Sequence, residues 1–97
     1  MERDNRYQGV KALIEKGQLK ELTEILDIIP KTTLKKDLEI SNYRMASILA
    51  HVEMVTMNEI YAMSSLFDVE FITIVMLIHN EYVRKKNKRL DRQPKTK

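Results

Sequence analysis

Apolar residues recur along this chain at three- and four-residue steps, broken by short polar joints, a pattern that predicts a succession of short helices. Tyr7, Val10, Leu13 and Ile14 form the apolar face of a first helix over about residues 5–16, with Asp4 or Asn5 as its cap and Gly17 at its end. Leu19, Leu22, Ile25, Leu26 and Ile29 repeat in the same way and predict a second helix over about 18–29, where Pro30 disfavours helical geometry at Ile29. Pro30 also suits the first position of a third helix, two turns long and ending near Leu38, with Thr32 and Thr33 as alternative caps.

After a tight joint at Glu39-Ile40, Ser41 is placed to cap a helix from Asn42 to about Val52, whose apolar side is Met45, Ile48, Leu49 and Val52. Thr56 followed by Glu59 is a capping box, so the next helix starts at Met57, buries Ile60, Met63 and Phe67, and stops at a left-handed Asp68. The run Phe71 to Ile78 is rich in β-branched residues, and a buried strand would read the same way. A helix over Glu70 to about Lys86 is favoured, because no other segment offers a strand to pair with and residues 79–84 continue as a polar helical end. A helix apolar on several faces implies a partner surface, inside the domain or on a second subunit.

The expected fold is therefore all-α: a compact bundle of five to six short helices in one domain, residues 1–83, followed by a flexible basic tail, residues 84–97. With 43% hydrophobic and 32% charged residues, the chain can bury a modest core and remain solvated. There is no cysteine, which removes disulfides, thiolate metal sites and cysteine nucleophiles, and fits a reducing cytosol. The polar start Met1-Glu2-Arg3-Asp4-Asn5-Arg6 leads into no signal-type apolar stretch, and Phe71 to Ile78 is too short to span a bilayer, so a cytoplasmic protein without a membrane partner is expected. Residues 84–97 carry eight Lys or Arg against Asp91, a net +7, which leaves residues 1–83 at −4 within the chain's overall +3. Arg84, Lys85 and Lys86 open this arm, which either adds sequence-independent phosphate contacts or is a solvated chain end.

The constellation that bears on function is the pair of short helices at 31–38 and 41–50. A tight turn between them lets the second project its first turn into a DNA major groove, with its amides facing a phosphate. Asn42, Tyr43, Arg44 and Ser47 are the expected exposed readers: Arg44 could fork onto a guanine, Asn42 onto an adenine, and Tyr43 or Ser47 could contact a thymine methyl or a phosphate. The same residues also read as ordinary solvated positions on a short helix.

The stretch Ile29-Pro30-Lys31-Thr32-Thr33-Leu34-Lys35-Lys36-Asp37-Leu38-Glu39-Ile40-Ser41-Asn42-Tyr43-Arg44 resembles the scanning helix, turn and recognition-helix start of the lambda-repressor-like, or XRE-type, helix-turn-helix domains, in the short form found in Bacteroidetes. Thr56-Met57-Asn58-Glu59-Ile60-Tyr61 with Phe67-Asp68-Val69 is similar to the fourth helix of those domains and its ending, so the resemblance covers about residues 18–80. It implies operator binding as a two-fold homodimer on double-stranded DNA. Bases would be read from Asn42, Tyr43, Arg44 and Ser47, with phosphate contacts at Lys31, Thr32 and Ser41. Two positions depart from the family pattern. Glu39 stands where glycine is usual, at a cost of about 1 kcal/mol if left-handed, and Lys35 stands where a small residue is usual and must snorkel outward or hold the helices apart.

Nothing else in the sequence points to chemistry. His51 and His79 lack a surrounding ligand pattern, Glu21, Glu24 and Asp27 read as a solvated face, and the six methionines read largely as core filling. With no phosphate loop and no serine nucleophile motif, neither an enzyme, a cofactor nor a small-molecule substrate is expected. The sequence thus predicts a sequence-specific DNA-binding transcriptional regulator. The alternative is a helical interaction or dimerisation module that uses the Phe71 to Ile78 surface.

Overall fold

The computed structural model describes residues 5–92, with side chains through Lys88. Asp4 as a cap, and Pro94, Lys95 and Lys97 of the basic arm, lie outside the described residues. The fold is all-α, a bundle of short helices with no strand among the described residues.

Helix α1 (Arg6–Glu15) buries Tyr7 and Val10. It ends where Gly17 takes φ +73°, a left-handed geometry that an L side chain resists, while the Gly17 and Gln18 amides donate to the Ile14 and Leu13 carbonyls. The expected α-helix over 18–29 is instead a 3₁₀ helix, Leu22–Asp27. Leu22 and Ile25 are buried and three residues apart, which sets them on one side of a three-per-turn helix, and buried Leu19 lies ahead of it outside the helix. Long-range bonds fix its start: the Thr23 amide donates to Glu81 Oε1 at 2.9 Å, and Asn80 Nδ2 donates to the Lys20 carbonyl at 3.0 Å. Nor is the acidic face simply solvated. Glu24 Oε1 accepts from the Lys20 and Glu21 amides, and Glu21 pairs with Arg84.

Helix α2 (Lys31–Leu38) buries Leu34. Pro30 precedes it as its cap rather than serving as its first helical residue, and Thr32 and Thr33 lie inside its first turn. Glu39 is left-handed at φ 59°, as the turn requires, and the Glu39 and Ile40 amides close onto the carbonyls of the last turn. Helix α3 (Asn42–Ala50) stops short of the expected Val52, because the chain turns out of helical geometry at His51 and continues as a 3₁₀ turn, Val52–Met54, that buries Val52.

Helix α4 (Met57–Phe67) has both bonds of its capping box, the Glu59 amide to Thr56 Oγ1 at 3.2 Å and the Thr56 amide to Glu59 Oε1 at 2.9 Å. It buries Ile60, Met63 and Phe67 and ends at left-handed Asp68, φ 58°. Helix α5 (Phe71–Arg92) follows at a bend of 113° to α4, so the β-branched run is helix. No single helix among the described residues is long and apolar enough to cross a membrane.

The inner face of α5, Ile74, Leu77 and the fully buried Glu81, packs with Tyr7, Val10, Ile25, Ile29, Val52 and Phe67 into one core. Helix α5 also runs on past Val83, so residues 84–92 continue the body's last helix instead of beginning a separate tail. Two contacts anchor this stretch at its root. Arg84 Nε donates to Glu21 Oε2 at 2.6 Å, and Lys85 Nζ stands 2.9 Å from the buried Glu81 Oε2 as an ion pair.

Candidate nucleic-acid interface

The turn Glu39-Ile40-Ser41 delivers α3 with its N-terminus open. Ser41 Oγ accepts from the Arg44 amide at 3.0 Å and satisfies one of the unpaired amides at the helix start. Met45 and Ile48 point into the core, which turns Tyr43, Ala46 and Ala50 to the opposite side, within an arc of about 60°. Tyr43 is 85% exposed, the most open of the large apolar side chains. It therefore stands alone on a low surface of two alanines, with Asn42 exposed on one flank and Ser47 half-buried on the other. Ala46 and Ala50 were not singled out from the sequence. They become informative only once the buried face of α3 defines the outer one.

Arg44 departs from expectation. It is half-buried, not exposed. Its Nε and a terminal nitrogen each donate at 2.7 Å to the two carboxylate oxygens of Glu59, and that terminal nitrogen also donates to the Met54 carbonyl at 2.7 Å. The fork clamps α3, the 3₁₀ turn after it and the start of α4 together, and to reach a guanine Arg44 would have to abandon all three bonds. The hydrogen bonds from Arg44 hold the Glu59 carboxyl below the usual carboxylate range, against its partial burial and with help from the Thr56 amide. Glu59 in turn raises Arg44. The sequence reading assigned Glu59 its capping role and missed its partner, since the two are fifteen residues apart with no local period joining them.

Of the expected phosphate contacts, Lys31, Thr32 and Ser41 are exposed at the starts of α2 and α3. Lys35 is half-buried beside the turn. The basic arm is less available than its composition implies: Arg84 is held by Glu21, Lys85 by Glu81 with a long 3.4 Å bond to the Leu49 carbonyl, and Lys86 lies 6.0 Å over the Tyr82 ring. Glu21 and its hydrogen bond hold Arg84 firmly protonated.

Elsewhere, a 480 Å³ cleft opens between α1 and the α4–α5 corner, lined by Lys11, Glu15, Asp68 and Glu70 among others, and Lys11 Nζ donates across it to Asp68 at 2.8 Å. His51 lies 3.8 Å from Glu53, and among the described residues no group of three or more His, Asp or Glu is placed to hold a metal ion. No family model, curated protein or solved structure matches this chain.

Proposed function

We propose that this protein is a sequence-specific DNA-binding regulator of the cytoplasm, a binding protein rather than an enzyme, acting as a homodimer on double-stranded DNA. The observation that carries the reading is the outer face of α3: one tall aromatic, Tyr43, projects from small neighbours beside the donor and acceptor groups of Asn42 and Ser47. A low helix surface admits close approach to a major groove, and a phenol can meet a thymine methyl or a phosphate. The open amides at the start of α3, with Lys31 and Thr32 on α2, supply the phosphate side. Arg44 belongs to this site as a positioning residue that fixes the angle of α3 through Glu59.

The test is selection from a randomised duplex pool at two salt concentrations, with the bound fraction sequenced. An enriched motif that disappears in Tyr43→Ala and Asn42→Ala supports the reading. Retention without enrichment overturns base reading and leaves only backbone attraction. A second reading, an interaction module without DNA, draws on the apolar residues that α5 leaves in solvent, and absence of binding at either salt favours it.

A further inference from the structure

Arg44 fixes one end of α3, and a second cation meets the other end from outside the helix. Lys85 of α5 is half-buried, and its Nζ lies 2.9 Å from Glu81 Oε2 and 3.4 Å from the Leu49 carbonyl in the last turn of α3. That carbonyl is one of those a helix end leaves without an intrahelical donor, and α3 has no basic residue of its own in that turn. An ammonium placed there also meets the negative end of the helix dipole. Glu81 holds it in place. Fully buried one turn earlier on α5, Glu81 accepts from the Thr23 amide through Oε1, while its Oε2, without a hydrogen bond among the described residues, stands in the ion pair with Lys85.

A buried ion pair is a weak stabiliser, because burial strips both charges of water, and well-packed apolar side chains of similar volume often serve stability as well or better. Here the pair joins three elements far apart in sequence: the first 3₁₀ helix at Thr23, α5, and the end of α3. The two anchors of α3, at Arg44 and Leu49, are five residues apart, about 7.5 Å of helix rise. One anchor leaves a helix free to pivot about it, whereas two set its direction. We propose that Glu81 and Lys85 are positioning residues for α3, which together with the Arg44–Glu59 fork fix the direction in which Asn42 and Tyr43 project. Lys85 is then not the phosphate ligand that the composition of the basic arm suggests. The consequence for DNA rests on the base-reading proposal above, whereas the anchoring is measurable in the chain alone.

Amide hydrogen exchange of the full chain, followed by nuclear magnetic resonance, tests the anchoring. The variant is Glu81→Gln combined with Lys85→Met, which keeps an acceptor for the Thr23 amide and leaves no buried charge unpaired. Protection at Leu49, Ala50 and His51 is expected to fall at least about tenfold further than at Ile60 and Met63 of α4, and Lys85→Arg, which can still pair with Glu81, is expected to keep the parent's protection. A fall no larger in α3 than in α4 would assign the pair to overall stability alone, and unchanged protection would leave it without effect on α3; either result overturns the proposal. On DNA, Glu81→Gln alone retains the Lys85 ammonium but frees it. The preference for the duplex selected by the parent over a random duplex is expected to fall about tenfold in that variant, with no gain in salt slope. A steeper slope with the preference intact overturns the proposal, because it would make the freed Lys85 a phosphate ligand. A parent chain that selects no motif defeats the base-reading proposal only, and the exchange result still decides the anchoring.

Discussion

Arg44 shows how a residue chosen for one chemistry can be occupied by another. Its fork on Glu59 is made of charge-assisted bonds at 2.7 Å, with little of either side chain in water. Removing the guanidinium leaves a partly buried carboxylate without its main partner, so Arg44→Ala is expected to lower stability by about 1–3 kcal/mol, measured by urea denaturation. The same pair carries a pH dependence. Glu59 has a folded-state pKa below the ordinary 4.5, so the pairing stabilises fully above about 4.5 and is lost as pH falls through the lower folded value. Acid unfolding followed by circular dichroism should therefore be less steep in Glu59→Gln than in the parent over that range. Glu39 is the opposite case. Its backbone is left-handed and its side chain exposed, so Glu39→Gly is expected to raise the urea midpoint by the equivalent of up to about 1 kcal/mol, the difference between relieved strain and glycine's added freedom when unfolded. An unchanged or lower midpoint would show that the turn carries no strain.

At the scale of elements, most helices were legible because their signals are local. Ser41, Thr56 with Glu59, Gly17 and Asp68 each act within three or four residues, and the structure has each of them at the end it marks. The segment 18–29 was misread because the step from Leu22 to Ile25 suits a period of 3.0 as well as 3.6, and because Leu19 is buried from outside the helix. The choice between the two is made by Glu81 and Asn80, about sixty residues away. The outer face of α3 was half legible: Asn42 and Tyr43 follow from the cap position, whereas the withdrawal of Arg44 depends on α4. Glu81, fully buried, joins the first 3₁₀ helix to α5. Glu81→Ala leaves the Thr23 amide and the Lys85 ammonium without their partner and is expected to destabilise by about 3 kcal/mol in thermal or urea unfolding, more than an exposed ion pair such as Lys11–Asp68 could account for.

At the scale of the whole molecule, charge composition and charge availability differ. Residues 84–97 hold eight of the seventeen Lys and Arg, yet the first two cations of that arm are held by glutamates of the acidic body, so part of the arm's field is neutralised at its root. Under the proposed DNA reading, polyanion contact would then be weighted toward the α2–α3 pair, where Lys31 is exposed at the start of α2. Each phosphate neutralised by a free cation contributes about 0.9 to the slope of log affinity against log salt on duplex DNA. Lys31→Ala is therefore expected to reduce that slope by about one unit, while Arg84→Ala, whose partner is Glu21, leaves it nearly unchanged. Fluorescence anisotropy on one duplex across a salt series distinguishes the two. Equal losses in the two variants would mean that DNA draws Arg84 away from Glu21, and a loss in Arg84→Ala alone would move the phosphate-binding surface from the α2–α3 edge to α5.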